Sequence, residues 1–140
     1  SITVTTGGVF TSSPAGLSIN SSTGAIDVSA SIGNAYVVTY TTGGTCPDLA
    51  TQNITITTAD DATFTLSSAS SCQNATDITA TITGTSGGTF TSSPAVGLSL
   101  NGTTGDVDVS ASAAGVYAVT YITSGTCPAT MTLSVTITAA

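Results

Sequence analysis

The side chains able to do chemistry in this chain are few and of few kinds. Seven aspartates, Asp27, Asp48, Asp60, Asp61, Asp77, Asp106 and Asp108, carry all the charge on 140 residues, and three cysteines and four tyrosines complete the set. The adjacent carboxylates Asp60 and Asp61 offer part of the oxygen cage that Ca²⁺ takes, but no Glu and no D-x-D-x-D loop accompanies them. They read as a solvated hydrophilic linker, with calcium the one cofactor worth weighing. Asp106 and Asp108 share one face of a hairpin, where carboxylates keep an outer strand face soluble and discourage edge pairing. Tyr117 and Tyr121, four residues apart in a strand pattern, point the same way. A ligand platform is one reading of them, and ring packing in the core is the expected one. Asn20, Asn53, Asn74 and Asn101 each begin an N-x-[ST] pattern, which chance supplies freely in a chain with 31 Thr and 20 Ser.

The cysteines are read as a framework rather than as nucleophiles. Cys72 and Cys127 can pair and close a loop worth about 4 kcal/mol by the chain-entropy estimate. If every segment between them reverses direction, the two lie at opposite ends of the fold. The pairing therefore requires one segment, 88–91, to bend instead. Cys46 is left over, and its partner is expected outside these residues.

Missing residue types exclude whole mechanisms. With no His, Lys or Arg, the usual general bases are gone and a Ser or Cys nucleophile has no activating partner. Zinc sites built on His and clustered Cys are equally unavailable. A net charge of −7 repels phosphate backbones, so nucleic acid is not an expected partner. The absence of Lys also rules out Lys–Asn isopeptide staples. The chain is read as no enzyme. No apolar run approaches the ~20 residues that span a bilayer. The opening residues, Ser1 to Thr6, lack the basic end and apolar stretch of a secretion signal, so any such signal is expected elsewhere.

The elements that position these residues are strands. Ile78, Ala80 and Ile82 alternate with Thr79, Thr81 and Thr83. Met131, Leu133, Val135 and Ile137 alternate with Thr132, Ser134, Thr136 and Thr138. This period of two leaves one face apolar and the other covered by hydroxyls, and Thr suits that outer face because β-branching favours extended backbone. Asn101–Gly105 sits between two such runs and reads as a hairpin turn with Gly supplying positive φ. About seven strands are predicted: 62–68, 76–83, 88–91, 97–100, 106–110, 116–123 and 130–138. No window carries a helical stripe. Seven short strands in about 80 residues predict a small antiparallel sandwich of immunoglobulin-like type.

The chain also repeats itself. GVFTSSPA at Gly8–Ala15 returns as GTFTSSPA at Gly88–Ala95. GLSINSSTGAIDVSAS at Gly16–Ser31 returns as GLSLNGTTGDVDVSAS at Gly97–Ser112, and GTCP at Gly44–Pro47 returns at Gly125–Pro128. The offset is 80 residues, then 81 after Val96 is inserted. Residues 60–140 thus read as a complete module, and 1–59 as a module lacking about 20 residues at its start, since Ser1 falls opposite Thr81. The shorter module is expected to have open edges and an exposed core. Two explanations serve: the chain is a window on a longer polypeptide, or a neighbour adds the missing strands. The first is simpler, and the counterpart of Cys72 would then precede Ser1.

The run PAGLSINSSTGAI at Pro14–Ile26, followed by AYVVTY at Ala35–Tyr40, resembles bacterial immunoglobulin-like and cadherin-like repeats. The closer similarity is to tandem repeats of giant cell-surface adhesins of gliding and marine Bacteroidota, where a Gly-Gly-x-Phe start, a Gly-Leu-Ser-Ile-Asn-x-x-Thr-Gly hairpin and a Gly-Thr-Cys-Pro turn recur. Gly33-Asn34-Ala35 and Ala114-Gly-Val depart modestly from that pattern. The resemblance implies export by the type IX route, an extracellular cell-surface location, and a role as adhesin stalk or surface filament. Its partners would be neighbouring repeats of the same fibre. The alternatives are a module binding glycan or another surface, and a filament subunit polymerising by strand complementation.

Overall fold

The computed structural model describes residues 7–140, and its secondary structure there is all strand and turn, without helix. The expectation that Ser1 falls in register with Thr81 lies outside the described residues. The chain divides into two compact units, Ser1–Thr58 and Ala59–Ala140.

The described part of unit 1 contains β1 (Val9–Ser13), β2 (Ser18–Ile19), β3 (Ile26–Asp27), β4 (Asn34–Thr41) and β5 (Leu49–Ile56). Unit 2 contains β6 (Phe64–Leu66), β7 (Ser70–Cys72), β8 (Ala80–Ile82), β9 (Thr89–Ser93), β10 (Ser99–Leu100), β11 (Val107–Asp108), β12 (Gly115–Ile122) and β13 (Thr130–Thr138). In unit 2 one layer is a four-stranded sheet of order β7-β13-β12-β9. The other is made of the pairs β6–β8 and β10–β11, joined by an antiparallel bridge between Ile78 and Val107. The arrangement is sandwich-like. Between the layers lie Phe64, Ile78, Val107, Val109, Tyr117, Val119, Tyr121, Val135 and Ile137, all buried. Alternation along β12 and β13 puts Tyr117, Val119, Tyr121, Val135 and Ile137 on this inner face, as the period of two requires. Burying a side chain of this size is worth roughly 1.5–3 kcal/mol, so the core outweighs any single polar contact described below.

Two expectations need correction. The segment Ser70–Cys72, which falls between the predicted strands 62–68 and 76–83, is an eighth strand. It also pairs parallel to β13, with Ser70 opposite Thr136 and Cys72 opposite Thr138, so the sheet is not wholly antiparallel. The chain leaves one layer after β6, runs along the edge of the other layer as β7, and returns at Ile78. Only that crossing lets a short Ser-rich segment cover the β13 edge, and no alternation marks it in the sequence.

Unit 1 reproduces the later part of this plan residue for residue. Phe10 stands opposite Tyr40 in the β1–β4 ladder as Phe90 stands opposite Tyr121 in β9–β12. Thr41 opposes Leu49 as Ile122 opposes Thr130. The two hairpin turns match as well: the Gly24 N–H donates to Asn20 O at 2.8 Å, and the Gly105 N–H to Asn101 O at 2.8 Å. Gly105 has φ +80° and lies where a Cβ would meet the Phe90 ring at 2.7 Å, so both backbone and packing demand glycine. Among the described residues, unit 1 has no counterpart of β6, β7 or β8. Its described core is small: Leu17, Tyr36 and Ile56 cluster with Ile19, Ile26, Val38 and Ile54 only partly buried around them, and Tyr40 is buried against Phe10.

Candidate functional site

The aspartates are structural hydrogen-bond acceptors. In unit 2, Asp108 Oδ1 accepts from Ser110 Oγ at 2.7 Å and from the Ala111 N–H at 3.0 Å. Ser112 Oγ then donates to the Asp108 carbonyl at 2.6 Å and accepts the Ser99 N–H at 2.9 Å, tying the turn to β10. Unit 1 builds the same lock from Asp27, Ser29, Ala30, Ser31 and Ser18, with Ser29 Oγ at 2.6 Å and Ala30 N–H at 3.2 Å from Asp27 Oδ1. Hydrogen bonds from the Ser110 hydroxyl and the Ala111 N–H hold the Asp108 carboxyl below the usual carboxylate range, and those from Ser29 and Ala30 do the same for Asp27. The signal for this lock was present in the sequence as the repeated D-V-S-A-S, but the role of the buried Ser112 in tying the turn to β10 was not read from it.

The remaining carboxylates are likewise committed. Asp106 Oδ1 accepts the Ala80 N–H at 3.0 Å, and its Oδ2 accepts Thr104 Oγ1 at 2.9 Å. It thus pins β8 beside β11, a stronger task than solvating an outer face. Asp77 Oδ1 accepts the Val109 N–H at 3.1 Å. Asp60 and Asp61, the weak calcium candidates, have separate partners. Asp60 Oδ2 accepts the Gly125 N–H at 2.9 Å. Asp61 Oδ1 accepts the Thr63 N–H at 2.9 Å and the Thr63 hydroxyl. The Thr63 hydroxyl, then the Thr63 N–H, lowers the Asp61 pKa. No group of three or more His, Cys, Asp or Glu able to hold a metal ion occurs among the described residues.

The tyrosines face inward. Tyr121 is fully buried between Phe64 and Phe90, with ring centroids 6.2 and 4.6 Å away. Its hydroxyl donates to Thr85 O at 2.8 Å and accepts the Gly88 N–H at 2.9 Å, closing the loop before β9. The Tyr117 hydroxyl donates to Ala113 O at 3.0 Å, and that of Tyr36 to Ile32 O at 2.7 Å. These rings brace loops and fill the core, so Tyr117 and Tyr121 offer no platform to a ligand.

The Cys72–Cys127 pairing is overturned, and all three cysteines are free thiols. Cys72 lies beside Thr138 at the end of β13, whereas Cys127 precedes the start of that strand at Thr130. A nine-residue strand separates them by roughly 25 Å at the usual rise, far beyond the ~7 Å that a disulfide spans between Cα atoms. The segment 88–91 does not bring them together: its residues 89–91 belong to β9, in unbroken antiparallel register with β12.

What remains as a candidate binding feature is a shallow, solvent-open hollow of mixed lining in unit 1. It is lined by Ile19, Ile26 and Val28 together with the polar Ser18, Asn20 and Asp27, and has a volume of about 640 Å³. The matching hollow of unit 2, whose lining includes Asp77, is about 340 Å³. Val28 is 61% exposed, whereas its repeat counterpart Val109 is fully buried. Neither a protein-family model nor a curated protein sequence matches this chain.

Proposed function

We propose that the chain is part of a structural repeat array, built of tandem immunoglobulin-like sandwich units in a long extracellular fibre or adhesin stalk that projects from a bacterial surface. The observation that carries this reading is the repeated turn lock. Asp27 and Asp108, with their serines, make the same hydrogen bonds at an offset of 81 residues. In a receptor or enzyme, polar side chains converge on a cavity. Here the carboxylates and tyrosine hydroxyls bond instead to turns and neighbouring strands within their own unit, a pattern that serves a spacer whose task is to keep its shape in each copy. The absence of any cation supports an exposed fibre for a further reason: proteases cutting after Lys or Arg have no site.

The test is the native assembly. An antiserum against this chain should label filaments on intact cells, and those filaments should run on a denaturing, non-reducing gel as one very long polypeptide. Labelling confined to a cytoplasmic fraction, or a short soluble species as the only product, overturns the reading.

A further inference from the structure

Unit 2 shows what the open face of unit 1 is shaped to receive. There β7 pairs parallel to β13, the Thr136 N–H donating to Ala69 O at 2.9 Å. Ile78 exchanges both of its backbone bonds with Val107, at 3.1 and 2.8 Å, and Asp77 caps the Val109 N–H at 3.1 Å. Phe64 and Ile78 belong to the same core cluster as Val107 and Val109, both of which are completely buried. The counterparts of Thr136, Val107 and Val109 are Thr55, Ile26 and Val28. None of the three has such a partner among the described residues, Ile26 is only partly buried, and Val28 is exposed. The receiving side is otherwise already in place, because β3 and β5 hold the same registers as β11 and β13.

We propose that this face, formed by Ile19, Ile26, Val28 and the outer edge of β5, is a docking groove for a segment with the chemistry of Asp60–Ile82. The segment arrives from the N-terminal side of β1, as β6–β8 arrive from the N-terminal side of β9. It lies parallel to β5 at Thr55–Thr57 and antiparallel to β3 at Ile26, and it places an aromatic and a branched aliphatic side chain over Val28. The open β5 edge supplies main-chain bonds and the hollow supplies side-chain selectivity, which is how strand addition works in general. The proposal rests on the repeat-array reading, since the segment is one that a neighbouring stretch of the same fibre would carry.

The experiment joins a copy of the Asp60–Ala80 sequence ahead of Ser1 in the otherwise intact chain and measures amide hydrogen exchange residue by residue. The expected result is that the Thr55, Ile26 and Val28 amides exchange at least about 100-fold more slowly than in the native chain. The same extension carrying Phe64→Asp and Ile78→Asp in the added copy alone should restore fast exchange, while unit 2 reports an unchanged fold in every sample. No protection, or equal protection by the charged copy, overturns the proposal. So does protection in the unextended chain that rises with concentration as the chain self-associates, because a second copy would then be the occupant. The outcome does not depend on whether the chain is found in a surface fibre, so failure of the functional reading and failure of the groove are separately visible.

Discussion

Val28 and Val109 occupy the same place in the same D-V-S-A-S sequence, and the structure gives their truncation opposite consequences. Val109 is 0% exposed and Val28 is 61% exposed. Val→Ala removes the equivalent of two methylenes, worth about 1.6 kcal/mol in transfer at ~0.8 kcal/mol each. At Val109 it also leaves a cavity of roughly 50 Å³, which adds about 1.2 kcal/mol at ~24 cal/mol per Å³. Partial relaxation brings Val109→Ala to about 2–3 kcal/mol. Val28→Ala removes atoms already largely in water and opens no cavity, so its cost should stay within about 0.5 kcal/mol. In a unit of this size the Val109 change should lower Tm by roughly 10–20 °C. The assay is denaturation read by residue-resolved hydrogen exchange, so that each unit reports its own stability. Equal costs at the two positions would refute the argument that β6–β8 make the difference, as would a Val109→Ala cost below about 1 kcal/mol.

Three further outcomes follow from particular contacts. Tyr121→Phe removes the hydroxyl that bridges Thr85 O and the Gly88 N–H. With both groups left short of a partner, unit 2 should lose about 1–3 kcal/mol in urea titration, and a loss near zero would mean water replaces the bridge. Thiol titration of the unfolded, unreduced chain should count three free thiols, and Cys72→Ser with Cys127→Ser should leave the urea midpoint unchanged; a count of one would restore the disulfide. The Asp27, Asp61 and Asp108 carboxyls have lowered folded-state pKa values. Their contribution to stability is therefore full above the ordinary aspartate value near ~3.9 and is lost as pH falls through the lowered folded values. Carboxyl NMR titration should show these three protonating later in an acid titration than Asp in the unfolded chain, and earlier protonation would contradict the hydrogen-bonded geometry.

The features legible in the sequence were the local ones. Strand runs followed from period-2 alternation, because a pleated backbone sorts successive side chains to opposite faces wherever it lies. The hairpin at Asn101–Gly105 followed from Asn and Gly, whose backbone preferences act over a few residues. The repeat required only comparison of the chain with itself. The features that had to await the fold involve residues distant in sequence. The parallel pairing of Ser70–Cys72 with the end of β13 has no alternation to announce it, and it alone sets Cys72 a full strand's length from Cys127. Asp106 and Asp77 became clamps on β8 and on Val109 because a crossing chain brought amides to them. Val28 and Val109 differ for the same reason. Burial belongs to whatever segment the fold lays over a residue, and two identical stretches of sequence carry no record of which of them is covered.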